Sequence, residues 1–429
     1  MTYSPRERRL AQALERCPIL KAVAKWGYQR LAYALRRRLD HPYDLHPGVS
    51  MSGILINSAA NPPIEAFFGY YDKSPWSSDG CRYLTHLSRG PKTADIACFI
   101  PETADLYLLA RTQAFNFQQG AMLSWLPGHP DLCLYNDVHD GLLVGRVVTV
   151  PAGKQLHMLP MPIQTVHPSG REALTLNYRR LARLRPEYGY RQPVRNFPDD
   201  LDDAHDGIWL LMLESNQVKL LLSLAELAQI NPHPSMKKAQ HKVNHLLYSP
   251  GGRRFAFMHR WLGPQGKFSR LYTADSSDGG NLYCLADERL VSHYAWLDED
   301  HLLAWARKAP YGDRYFLFRD RSPSYSIVGC DRLDLYGDGH PSFSPDRHWL
   351  VTDTYPDKAR RRHLLLYNLH TNEVVLVGSF FAPWRYEGER RCDLHPRWHP
   401  DGTKISIDST HEGFRNTYVI DISNLVRHG

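Results

Sequence analysis

The sequence lacks any uninterrupted apolar run of roughly 18 residues, which excludes a membrane-spanning helix, and its amino terminus carries charges where a secretion signal needs a hydrophobic stretch. Paired cysteines are also missing. The seven (Cys17, Cys81, Cys98, Cys133, Cys284, Cys330 and Cys392) are odd in number, far apart and without a C-x-x-C pair, so neither a disulfide framework nor a thiolate zinc cluster is expected. Low complexity is absent too: 43% of the 429 residues are hydrophobic and 23% charged, enough to bury a large core. The expectation is a cytoplasmic protein, with a peripheral position on the inner membrane left open.

Charge of one sign is missing from most of the chain. Residues 1 to 40 hold ten basic and three acidic side chains, which accounts for the whole net charge of +7. The other 389 residues balance at 42 against 42, and no nucleic-acid-binding motif accompanies the basic excess, so a nucleic-acid partner is not expected. Within the basic segment Leu10, Leu14, Ile19, Leu20, Val23, Trp26, Leu31 and Leu35 recur at helical spacing, with a break predicted at Pro18. A basic amphipathic helix over residues 5–39 has two uses: packing on the domain with a solvated face, or lying on an anionic membrane surface.

Beyond residue 50 the pattern is one repeated unit: an aromatic or apolar residue, a tight turn of Ser, Pro, Asp and Gly, then an alternating strand. The anchors before the turns are Trp76, Trp125, Val166, Tyr248, Trp296, Phe343 and Trp398, at spacings of 49, 41, 82, 48, 47 and 55. The long gap contains RRLARLRPEYGYRQPVRNFPDDLDD, read as an insertion, followed by two outer strands, IWLLMLE and VKLLLSL. Seven units of this kind predict an all-β, seven-bladed β-propeller over residues 49–429 behind a helical extension over residues 1–48. Ring closure is expected from SGILINS, near residue 54, completing the last blade.

Histidine is abundant, at 22 of 429. Three residues before each anchor stand Lys73, Met122, Ile163, His245, His293, His340 and His395, so four consecutive blades place histidine at one structural position. A structural reading, in which His-Pro caps a turn, fits His340 and His395 but not His245 and His293. Converging neutral imidazoles suit a divalent metal, zinc or manganese, with Asp353, Asp393 and Asp408 available as oxygen ligands or supports. On the same strands lie Tyr70, Tyr71, Asp72 and Lys73, then Gln118 and Gln119, then His241 and Asn244. Arg260 closes a returning strand, and its guanidinium is the natural partner of a carboxylate. Tyr355 and Arg397 complete the candidates for substrate binding, with Lys73, Gln119 and Asn244.

The motifs GYYDKSPW, NFQQG, HKVNHLLYSPGGRRFAFMHRW, DGHPSFSPD, TDTYP and RCDLHPRWHPDG resemble those of bacterial seven-bladed propellers related to oligogalacturonate and ulvan lyases, over roughly residues 50 to 425. The resemblance implies a carbohydrate-active enzyme of surface-polysaccharide or lipopolysaccharide metabolism. It implies a manganese-type centre at His293, His340 and His395, with His245 as base, His241 as second candidate, and Arg260 as carboxylate partner. The glutamine ligand of oligogalacturonate lyases has no counterpart in the later blades, and the catalytic tyrosine of ulvan lyases falls at about Asn244. The reaction expected is β-elimination on a uronic-acid-containing oligosaccharide or lipid-linked glycan, with Tyr71 or water protonating the leaving oxygen. Two alternatives stay open: a glycosidase or glycosyltransferase using Asp353 and Asp408, and a non-catalytic scaffold at the membrane.

Overall fold

The computed structural model describes residues 18–36, 41–54, 64–197 and 202–426. Seven antiparallel sheets form blades at 65–112, 124–159, 165–223, 240–286, 291–328, 342–381 and 397–421. Each blade holds one of the seven anchors. The two strands expected in the third unit run over Gly207–Met212 and Val218–Ser223. Ring closure is as the sequence implies: Ser50–Gly53 pairs with Asn416–Asp421 as the outer strand of the seventh blade. The segment just before it adds something the pattern does not announce, since Tyr43–Leu45 joins the sixth blade as a fifth strand, inside the stretch expected to be the extension.

The anchors recur because they join neighbouring blades. Trp125, Trp296 and Trp398 each donate their indole N–H to the carbonyl just before the preceding anchor: Pro75 at 2.9 Å, Leu247 at 3.2 Å and Ser342 at 3.1 Å. The indole thus buries its ring and satisfies its one donor in the same contact. The apolar core lies between blades; Trp305, Tyr315 and Val328 of the fifth pack against Phe343, Leu350, Leu365 and Tyr367 of the sixth. His167 and His399, each followed by Pro, reach Gly252 and Gly80 in the next blade's turn, both at 3.1 Å, so at these two positions His-Pro is structural.

Helix α1 (Pro18–Arg36) starts where the sequence suggests a break, because proline's fixed φ and missing N–H suit a helix's first turn. It rests on the sixth blade: the Tyr33 ring stacks on Phe381 and meets Trp384 edge-on, and Ala32 is buried. Among the described residues no helix is long and apolar enough to cross a membrane, and the six described cysteines are unpaired. Cys17, Leu10 and Leu14 lie outside the described residues.

Several histidines away from the channel are packed as neutral rings. Burial lowers the pKa of His86 to about 4 and that of His411 to about 4, while burial and the neighbouring His241 and Arg270 lower that of His259 to about 3. The unfolded chain binds protons on these groups below pH of about 6.5 and the folded chain does not, so their stability is intact above that pH and lost as pH falls toward their folded values. Each should cost about 1.4 kcal/mol per pH unit in that window. The unfolding free energy from urea titrations should fall by several kcal/mol between about pH 7.5 and pH 5; an unchanged value would contradict neutral burial of these rings.

Candidate active site

The first blade's inner strand is interrupted. Glu65–Phe67 is paired, pairing resumes at Trp76 with Tyr83, and Phe68 to Pro75 leave the ladder between them. Asp408 and Arg397, an ion pair at 2.7 Å, hold this segment. Asp408 accepts the backbone N–H of Phe68 and of Gly69, both about 3.2 Å away, and Arg397 donates to the Gly69 and Tyr70 carbonyls at 2.5 and 3.3 Å. At Gly69, φ is +119° and an added Cβ would sit 2.7 Å from the Gln119 carbonyl carbon, so only glycine fits. The result is that Tyr70 and Tyr71 stand among the four histidines. The Tyr70 ring lies 5.1 Å from both His245 and His395, and the Tyr71 ring 5.2 Å from His340 and 5.9 Å from His293.

All four histidines are buried. β-Bulges between Asn244 and Leu247 and between Val291 and Tyr294 carry His245 and His293, and bulges re-aim side chains in this way. His340 and His395 stand just ahead of two-residue inner strands, Ser342–Phe343 and Arg397–Trp398. Three have one ring nitrogen occupied by an acceptor. The Nδ1 of His293 is 3.0 Å from Asp338, that of His340 2.7 Å from Asp353, and that of His395 2.7 Å from the Gly69 carbonyl. Carboxylate and carbonyl oxygens only accept, so each Nδ1 carries the proton and each Nε2 a bare lone pair. The Nε2 atoms of His340 and His395 are buried with no partner. Burial lowers the pKa of His293 to about 4 and that of His395 well below its usual range.

His340, Asp393 and His395 present ligand atoms that all lie within 4.8 Å of one another, a group able to hold a metal ion. The His293 ring is 4.1 Å from that of His340, and His293 is not a member of that group. Asp393 is held by Arg362 at 3.0 Å and Arg391 at 2.6 Å. Two imidazoles whose Nδ1 atoms face acceptors and whose Nε2 atoms stand open beside a buried carboxylate fit a divalent cation of the zinc or manganese type.

His245 is different, with no hydrogen-bond partner on either ring nitrogen. Its Nε2 is 3.5 Å from the Asp72 carboxylate, and Asp72 also binds the Lys73 ammonium at 3.1 Å. Burial outweighs Asp72 and lowers the His245 pKa. For Asp72 the order reverses: burial opposes ionisation, but Lys73 and His245 bring its pKa down to about 2. Tyr71 is committed to the backbone, its hydroxyl donating to the Tyr294 carbonyl and accepting the Tyr294 N–H, both at 3.0 Å. His241 faces His259 at 3.0 Å. Gln119 and Asn244 are buried, each with an unpartnered amide oxygen. The Tyr355 ring lies 6.0 Å from that of His340 and beneath the Arg391 guanidinium. Arg397 and Asp408 clamp Phe68–Tyr70, and Asp353 holds His340 by ring and backbone.

Two solved structures share this architecture: an oligogalacturonate lyase from Vibrio parahaemolyticus (12% identity, TM-score 0.61) and an oligogalacturonate lyase in complex with manganese (15%, TM-score 0.60). Each alignment covers 88% of this chain and 96% of the other. The chain has the oligogalacturonate lyase fold. No protein-family model matches it, and no curated protein matches it in sequence.

On this oligogalacturonate lyase fold the insertion of the third blade becomes part of the site. Helix α2 (Tyr178–Leu184) is capped by Asn177, and Arg180 fastens it by pairing with Asp203 and Asp206 and donating to the His241 carbonyl at 2.9 Å. Beyond α2, Tyr188 meets the Tyr70 ring edge-on at 5.9 Å, with Arg185 over its face. Arg185 also lines a cavity of about 530 Å³ with Lys242, Arg260, Lys267 and Arg289. Only two carboxylates, Glu187 and Asp338, line it too, and Asp338 is the partner of His293. Arg260 donates to the Val291 carbonyl at 2.9 Å, its Nε is buried without a partner, and among the described residues it forms no ion pair. Arg185, Tyr188, Lys242 and Asp338 escaped the sequence reading; the signal for the first two was the density of Arg and Tyr in an insertion rich in turn formers, and the other two stand inside motifs read for their histidines.

Burial and the charges of Arg260, Arg185 and Lys267 bring the Lys242 pKa down to about 6. Lys242 is therefore neutral at pH 7 and adds a positive charge to the cavity as pH falls through that value. Affinity for inorganic sulfate, whose own charge is constant here, should rise about five- to tenfold between pH values of about 7.5 and 5.5, as titration calorimetry would measure. Lys242→Met should remove the dependence, and a pH-independent wild type would contradict it.

Proposed function

We propose that this protein is a metal-assisted β-eliminating lyase acting on a uronic-acid-containing oligosaccharide or lipid-linked glycan in surface-polysaccharide metabolism. The observation that carries the reading is a cavity lined by Arg185, Arg260, Lys267 and Arg289, with Lys242 charged at lower pH, which reaches the histidine cluster through Asp338, the partner of His293. Such a cavity takes an anionic sugar, and unpaired Arg260 offers its carboxylate a guanidinium partner. His340, His395 and Asp393 would hold a divalent cation, which would supply Lewis-acid polarisation of that carboxylate.

His245 is the base in this reading. It is neutral at pH 7, and its imidazolium, once formed, faces the Asp72 carboxylate. Arg260 withdraws charge from the uronate and acidifies the C5 proton, which His245 takes. The C5–H electrons form the C4–C5 double bond, the C4–O4 bond breaks, and O4 leaves with a proton from water, since the Tyr71 hydroxyl is held by Tyr294. Hydrolysis by paired carboxylates is less well supported, because Asp353 and Asp408 are both spent on holding His340, Phe68, Gly69 and Arg397.

The test is ultraviolet absorbance of the unsaturated product during incubation with a panel of uronate oligosaccharides and manganese. Wild type should produce it. His245→Gln should lower kcat by about 10²- to 10⁴-fold, and Arg260→Lys should lower kcat/KM by at least about tenfold because the planar fork is lost while the charge stays. Turnover by His245→Gln at the wild-type rate would remove His245 from the role of base, and no unsaturated product from any uronate would overturn the lyase reading.

A further inference from the structure

Helix α1 docks on the sixth blade and leaves part of its surface open. Tyr33 and Ala32 face the sixth blade. Arg30 lies over Trp384 at 4.4 Å, and Lys358 over Tyr28 at 5.7 Å. At about 100° per residue, Val23, Trp26, Gly27, Leu31, Ala34 and Leu35 share an arc of roughly 180° that turns away from Ala32, with Arg30 between Trp26 and Val23 and Tyr33 beside Trp26 at its edge. There Val23, Trp26 and Leu31 are about 60% exposed and Leu35 76%, and a Cβ added at Gly27 would meet nothing within 4 Å. Four large apolar side chains on one open helical face mark an interaction surface.

We infer that this face of α1 lies in the interface of an anionic bilayer and holds the channel mouth beside it. Charge selects the occupant. The forty residues that contain α1 carry all of the chain's net +7, so a second copy would set like charges against one another, whereas anionic lipid offers both an apolar layer and opposite charge. The helix lies on the bilayer because it is not apolar enough to cross it. Its position on the propeller links it to the candidate site: Lys358, against Tyr28, belongs to the same 354–360 connection that carries Tyr355 to His340 and His293. A glycan attached to lipid would meet the mouth without leaving the membrane surface.

Full-length protein should co-sediment with vesicles in which about a third of the lipid is phosphatidylglycerol, and far less with pure phosphatidylcholine. Raising salt from about 0.1 to 0.5 M should weaken the association. The double variant Trp26→Glu, Leu31→Glu should reduce vesicle partitioning by about 100-fold or more while its melting temperature stays that of wild type, because both side chains are about 60% exposed. Tyr33→Ala, which loosens docking only, should retain vesicle binding. The inference is overturned if wild type stays in the supernatant with anionic vesicles or binds neutral ones equally well. It is also overturned if wild type instead dimerises in sedimentation velocity and the double variant is a monomer, which would assign the face to a second copy.

Discussion

The site depends on one buried ion pair, Arg397 with Asp408, and on the backbone it holds. A propeller's inner strands ordinarily line an open channel, but here the first blade's strand leaves its ladder after Phe67. The pair grips the N–H groups of Phe68 and Gly69 and the carbonyls of Gly69 and Tyr70, so polar backbone expelled from a sheet is satisfied without water. Breaking a buried pair of this kind typically costs about 3–5 kcal/mol. The same grip sets Tyr70 and Tyr71 among the histidines and leaves the Gly69 carbonyl to accept from His395 Nδ1. One clamp therefore decides where the tyrosines stand and which nitrogen of His395 is bare.

Around that clamp, charge is sorted by burial. Imidazoles in the centre are kept neutral by desolvation, and the carboxylates that orient them are kept ionised by the partners they hold: Asp72 by Lys73 and His245, Asp338 by His293 and Ser292, although burial opposes each. Neutral imidazoles with fixed tautomers are what a metal requires. Positive charge is collected in the adjoining cavity, where Arg260 forms no ion pair with any described residue. In the proposed reading, imidazoles on one side and cations on the other would give an anionic substrate one orientation.

The propeller was legible in the sequence because each blade repeats a turn signature and an apolar anchor, and three of the anchors are tryptophans whose indoles make the same inter-blade contact. The four histidines were legible for the same reason, as a repeated register position. What could not be read lies where the chain leaves its repeat. Tyr43–Leu45 is a three-residue edge strand without alternation, recognisable only by its pairing with Gly378–Phe380. Asp338 lies in a short connection between strands and becomes a partner of His293 only through the curvature of the ring. Arg185 and Tyr188 belong to an insertion whose composition suggests a solvated loop, yet Arg180 pins it across the site. Tyr71 was visible as a chemical group, but its commitment to Tyr294 depends on the interrupted strand.

The central claim is that buried Nε2 atoms of His340 and His395, with Asp393, form a divalent metal centre beside the basic cavity. The most direct measurement is anomalous diffraction from crystals grown with manganese, collected on both sides of the manganese edge. The account predicts a peak at coordination distance from both Nε2 atoms and from Asp393. A crystal with no peak there, or with its peak elsewhere and these nitrogens bound to water alone, would contradict it.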